Sequence, residues 1–216
     1  MIDILRKPAL VIWLCFFSLA FGLISNASAT ENGMAATIQL AKKGRFQGDV
    51  ILVRGGFDVF SRGMDQMATK LVKKGVKAKV FKYTQTKQIA DHIISNQKKF
   101  GRKPIVLIGH SWGANAIIRV AKILEKQKLK VTYMATFAAT APEPAPTNIK
   151  KLTNYYFKKD GWGKPVSTMK GFRGRLKNID MSNNPEIHHF NVEEQPRLQN
   201  QVIRNVLRFV KPNRLG

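Results

Sequence analysis

Ser111 is the residue best placed in this sequence to act as a nucleophile, because it stands at the centre of Gly109-His110-Ser111-Trp112-Gly113. The apolar run Ile105-Val106-Leu107-Ile108 comes directly before, and Ile117, Ile118, Ala121 and Leu124 follow at helical spacing. A serine at such a strand-to-helix bend is held in a strained backbone conformation with its hydroxyl lifted clear of the chain. Small residues two positions to either side are then needed so that strand and helix can approach without a Cβ collision. Gly109 and Gly113 meet that need. A serine that merely caps a helix requires no glycine on either side. The chemistry implied is attack on an electrophilic carbon, with a nearby base to take the hydroxyl proton.

For that base the sequence offers four histidines. His92 lies beside Ile93 in an amphipathic stretch, at a surface or boundary position. His110 is the variable residue of the pentapeptide. His188 and His189 are adjacent in a loop before the last helical stretch, and periodicity does not choose between neighbours whose side chains point in different directions. A zinc site built on this pair is disfavoured, since it needs three or four convergent ligands and no third His or Cys is near.

The elements that must position these groups alternate, short Val- and Ile-rich runs with longer stretches of helical period, as in a mostly parallel sheet covered by helices on both faces. Strands are expected at Asp49–Arg54, Lys77–Tyr83, Ile105–Gly109, Val131–Phe137, Leu152–Phe157 and Leu176–Asp180. A first helix follows from Met64, Met67, Ala68, Leu71 and Val72, with Gly75 as its stop. Ile89, Ile93 and Ile94 mark a second, with Thr86 as N-cap and Gly101 as terminator. The third follows Gly113. Leu198, Val202, Val206 and Phe209 mark the last, beginning near Pro196. Three prolines make 138–148 a loop. The pattern predicts one α/β domain of about six strands with its site at the carboxyl ends of the strands.

With the pentapeptide, the Arg54-Gly55-Gly56-Phe57 turn after the first strand and a histidine before the final helix, the chain resembles the α/β-hydrolase superfamily from about Asp49 to Val210. The likeness is to its small serine esterase, lipase and thioesterase members. That resemblance implies a Ser-His-acid set and acyl transfer through a covalent intermediate. By analogy the oxyanion is held by the N–H of Trp112 and by the Gly55-Gly56-Phe57 turn, Phe57 first and Gly56 second. His189 is favoured over His188 as base. Asp160, in the loop after the fifth strand, is the favoured acid; Asp180 is its rival, with a plain alternative role as a turn carboxylate, and Glu143 is a third possibility. No cofactor and no metal are implied.

Arg6 and Lys7, the uncharged run Ala9–Ile24 and Ala27-Ser28-Ala29 form a three-part secretory signal. Residues 1–29 are expected to be removed, an uncleaved anchor being the alternative, and 30–216 to form the domain. A periplasmic or secreted protein follows. The single cysteine, Cys15, lies within the apolar run, which excludes an intrachain disulfide framework.

Lys and Arg number 37 against 13 Asp and Glu, a formal charge of +24. Scattered through every helix and loop, these cations read as solvated faces with a general attraction to anionic lipid or polymer, not as a specific nucleic-acid site. The expected function is hydrolysis of a small ester or thioester at an open site, Trp112 and Trp162 being possible walls of the acyl pocket. The competing expectation is a non-catalytic basic binding protein of the cell envelope on the same scaffold.

Overall fold

In the computed structural model, which describes residues 47–56, 61–159 and 161–211, the alternating runs become a six-stranded parallel sheet. The strands are β1 (Asp49–Arg54), β2 (Lys79–Lys82), β3 (Ile105–His110), β4 (Tyr133–Phe137), β5 (Lys151–Tyr156) and β6 (Arg175–Asp180), in the spatial order β2-β1-β3-β4-β5-β6. Four helices flank it: α1 (Arg62–Lys73), α2 (Thr86–Phe100), α3 (Trp112–Lys126) and α4 (Pro196–Phe209). The signal segment 1–29 with Cys15, and the two site candidates Phe57 and Asp160, lie outside the described residues.

Side-chain alternation along each strand divides the core in two. Val50, Leu52, Val106, Ile108, Ala135 and Tyr155 face α1 and α4. Ile51, Val53, Leu107, Met134 and Leu152 face α2 and α3. Central strands buried on both sides favour near-continuous apolar runs, and all six residues of β3 are buried, Ile105 to Ile108 among them. The edge strands β2 and β6 are half exposed and carry Lys79, Lys82, Arg175 and Lys177, which discourages pairing with another chain.

The boundaries differ from expectation where apolar residues lack a ladder partner. β2 is shorter than Lys77–Tyr83, because Tyr83 already begins a 3₁₀ turn, Tyr83–Gln85. That turn also corrects the cap of α2. Thr86 has helical angles and donates its hydroxyl to the Tyr83 carbonyl, so the N-cap is Gln85. Val131 makes a single bridge to Ile149, and β4 starts at Tyr133. α4 starts at Pro196, where a missing N–H costs nothing.

Candidate active site

β3 delivers His110 and Ser111 to the carboxyl end of the sheet, and α3 starts at the next residue. Ser111 has φ 55° and ψ −121°, a left-handed conformation rare for a side chain with a Cβ. The Phe137 carbonyl pins it by accepting the Ser111 N–H at 2.8 Å. The neighbouring glycines are required by contact. A Cβ at Gly109 would lie 2.6 Å from the Gly113 carbonyl oxygen, and one at Gly113 would lie 2.3 Å from that of Val53.

The loop before α4 brings the imidazole of His189 to this hydroxyl, with Nε2 3.0 Å from Ser111 Oγ. Nδ1 of His189 is 2.7 Å from the backbone carbonyl of Trp162. A carbonyl only accepts, so Nδ1 carries the proton and donates it there. Nε2 is therefore the bare nitrogen, and Ser111 Oγ–H donates to it. This is the tautomer that a general base requires. His189 is buried, whereas its neighbour His188 is exposed, with its Nδ1 accepting the Phe190 N–H at 3.2 Å.

A second histidine is tied to the first. His110 is 1% exposed, and its Nε2 lies 2.8 Å from the His189 carbonyl oxygen, so Nε2–H donates. Its Nδ1 must then accept, from the hydroxyl of Ser61 at 2.9 Å, while Ser61 Oγ accepts the N–H of Gly55 at 2.8 Å. The resulting chain, Gly55 to Ser61 to His110 to the backbone of His189, links the turn after β1 to the loop before α4 through the residue preceding Ser111. Burial holds His110 neutral, its pKa pushed down to about 4.

Beside it stands Glu193, fully buried, with Oε2 3.5 Å from His110 Nε2. Neither carboxyl oxygen has a hydrogen-bond partner among the described residues. Loss of hydration pushes its pKa up to about 8. At neutral pH the pair is therefore a protonated acid against a neutral imidazole, not an ion pair.

The remaining candidates separate clearly. Gly55 spends its N–H on Ser61, and Gly56, the other described glycine of that turn, lines the same cavity as Ser111; a Cβ there would meet the Trp112 ring at 2.8 Å. Trp112 is the first residue of α3, so its N–H belongs to the helix N-terminus, where the dipole favours negative charge. Asp180 is exposed, and the Ser182 hydroxyl, followed by the backbone N–H groups of Ser182 and Lys158, holds its pKa below the usual range; it is a turn carboxylate and does not reach His189. Glu143 pairs with Lys122. His92 is half-buried on α2, against Asn96 and Lys79.

Gly56, Ser61, His110, Ser111, Trp112, Thr140, Trp162, His189 and Phe190 line a cavity of about 90 Å³. None of the nine is an Asp, Glu, Lys or Arg, although the chain's net charge is +24. Trp112, Trp162 and Phe190 are 41%, 57% and 49% exposed around it. Trp162 and Phe190 each meet the His189 ring, at 5.4 and 4.9 Å between centroids.

Ser61, Glu193 and the Trp162 carbonyl were not among the residues singled out in the sequence. A backbone carbonyl has no residue-type signal, and Glu193 beside Glu194 reads as a surface pair. His110 was legible only by position, as the buried strand residue next to the serine.

Compared with protein-family models and with curated proteins, the sequence matches none. Solved structures do match. An extracellular α/β-hydrolase from a Paenibacillus species is 13% identical, with a TM-score of 0.47, over 76% of this chain and 99% of that one. An α/β serine hydrolase homologue from Coxiella burnetii is 12% identical, with a TM-score of 0.44, over 76% and 88% of the two chains. The roles of this chain's residues rest on the geometry above.

Proposed function

We propose that the protein is a serine hydrolase acting on a carboxylic ester or thioester with a small, uncharged acyl group. The observation that carries this reading is the 3.0 Å contact between Ser111 Oγ and His189 Nε2, with the proton on Nδ1, 2.7 Å from the Trp162 carbonyl. Ser111 attacks the carbonyl carbon as Nε2 takes its proton. The imidazolium then protonates the leaving alcohol or thiol, and an acyl-serine remains. In the second half His189 deprotonates a water that attacks the acyl-serine and returns the proton to Ser111. The N–H of Trp112, with Gly56 or Phe57, holds the oxyanion, each such donor contributing about 3 kcal/mol in the transition state. Asp160 is the acid in this reading, stabilising the imidazolium as it forms.

Acyl size follows from volume. A cavity of about 90 Å³ is smaller than the engineered apolar cavity of about 150 Å³ that admits benzene. Short acyl chains fit, and exposed aromatics at the rim suit an apolar leaving group. Export through the 1–29 signal belongs to the same proposal, with a mature N-terminus at Thr30 that mass spectrometry of the recovered protein identifies. Among the described residues no helix is long and apolar enough to cross a membrane.

A panel of p-nitrophenyl esters and acyl thioesters of increasing chain length tests the reaction class. Turnover is expected for acetyl and propionyl groups, to fall beyond butyryl, and to vanish in Ser111→Ala. Equal turnover by Ser111→Ala would refute the nucleophile, and no turnover of any acyl compound by the folded protein would favour the basic binding protein.

A further inference from the structure

The two ends of the sheet differ in charge. In a parallel sheet all strands start at one end, and here the helix-to-strand connections 74–78, 101–104 and 127–132 each carry two cations and no carboxylate. Cations in the last turn of a helix are explained by its dipole. The surface formed by β5, β6 and α4 is not. α4 holds three arginines and no acid over Pro196–Phe209. Its second half reaches the starts of β4 and β5, since Asn205 bonds both Tyr133 Oη, at 3.3 Å, and Lys151 Nζ, at 2.8 Å.

Lys151, Arg175 and Lys177 share the sheet face on which Tyr155 and Ile179 pack toward α4. Lys151 is directly opposite Arg175 in the register, and Arg204 and Arg208 are one helical turn apart. Like charges at both spacings cost stability. Among the described residues no carboxylate pairs with any of the five. The repulsion is felt at Lys151, where burial, followed by Arg208, Arg175 and Lys177, lowers the ammonium pKa. A fold that places cations against one another without neutralising them is relieved by an external anion.

We propose that this face, at the amino end of the sheet, docks the protein on a bilayer of phosphate-bearing anionic lipids, with the mouth of the Ser111 site turned to the opposite, aqueous side. Guanidinium forks match phosphate oxygens two at a time, and three of the five cations of this face, Arg175, Arg204 and Arg208, are arginines. A bilayer is favoured over a nucleic acid by the chain itself. The exposed large aromatics among the described residues, Phe100, Trp112, Trp162 and Phe190, all lie off β5, β6 and α4, so the face offers cations for phosphates and no platform on which a base would stack. The catalytic residues stand at the other end of the strands, beyond His110. The substrate then arrives from solution and is not drawn from the bilayer that holds the protein.

The test uses the chain from Thr30 onward, which keeps both core clusters whole, since the described residues in them run from Val50 to Val210. Sedimentation with phosphatidylcholine vesicles is compared with vesicles containing a third of phosphatidylglycerol at low salt. Binding is expected to the anionic vesicles only. At about fivefold per cation near the surface, Arg175→Gln with Lys177→Gln is expected to weaken it about 25-fold. Lys158→Gln with Lys159→Gln removes the same charge from the carboxyl end and is expected to weaken it less than about threefold. Equal losses in the two double variants would reduce the effect to net charge and overturn the docking face. So would equal binding to neutral vesicles, or tighter binding to duplex DNA than to the anionic vesicles. Orientation has its own readout, independent of turnover: the chain then has Trp112 and Trp162 as its tryptophans, both at the mouth. Brominated lipid is expected to leave their fluorescence unquenched on binding, and quenching would overturn the orientation.

Discussion

The carboxyl end of the sheet is built from neutral polar groups chained donor to acceptor, while the amino end is built from cations set against cations. In the first region the Gly55, Ser61, His110 and His189 bonds leave one arrangement of protons, with Nε2 of His189 bare toward Ser111. In the second, Lys151 faces Arg175 and Arg204 precedes Arg208 by one turn, with no carboxylate between them. Order that serves chemistry is stabilised by its own contacts. Order that serves an external partner is left incomplete. Substitutions are therefore expected to damage the first region and to relieve the second.

The largest effect is expected at the base. His189→Ala should lower kcat on the order of 10⁴-fold with little change in melting temperature, whereas His188→Ala should stay within about twofold. Steady-state kinetics on a short ester reads both, and undiminished turnover by His189→Ala would move the base elsewhere. Next comes the bend. Gly113→Ala drives a methyl group to 2.3 Å from the Val53 carbonyl oxygen, and backbone on both sides must shift. A loss of about 3 kcal/mol is expected in urea unfolding. His110→Leu keeps the volume but strands the Ser61 hydroxyl and the His189 carbonyl, a loss of about 2 kcal/mol. Because it also frees the backbone of His189, kcat should fall about tenfold with KM unchanged. A stability loss without that fall in kcat would make His110 a packing residue.

Glu193 supplies a pH signature. Its folded pKa of about 8 stands above the ordinary 4.5, so stability is full below about pH 4.5 and is lost as pH rises toward 8. His110 acts in the other direction, its folded value of about 4 removing stability as pH falls from 6.5. The two slopes oppose each other between 4.5 and 6.5 and leave Glu193 alone above. Melting temperature is expected to drop between pH 6.5 and 8 in the wild type, and to drop less in Glu193→Gln. Identical profiles would mean that Glu193 is hydrated and ionised. The smallest effect belongs to the basic end: Arg175→Gln should stabilise by about 0.5 kcal/mol at low salt, a gain that salt screens away. Destabilisation there would erase the contrast between the two ends.

Much of the fold was legible because burial on both faces favours near-continuous apolar runs. β1 and β3 appear in the sequence almost as they stand, and Pro196 marks the start of α4. The ends of β2 and β4 were not, since Lys77 and Val131 look like strand residues but lie beyond their partners' reach in the ladder. Thr86 looked like a cap because a 3₁₀ turn leaves no residue pattern of its own. Within the site, the glycines around Ser111 announced a steric demand that sequence can carry. The choice between His188 and His189 depends on which way a loop turns. Ser61, Glu193 and the Trp162 carbonyl join the site through tertiary contact alone. Asp180 illustrates the reverse case: a carboxylate near the right place in the chain that its own turn consumes.

The most direct test of the central claim is covalent labelling of the folded protein with a fluorophosphonate, followed by peptide mapping. One adduct on Ser111 is expected, absent from Ser111→Ala and strongly slowed in His189→Ala. Folded wild-type protein that stays unlabelled, or that is labelled at another residue, would contradict it.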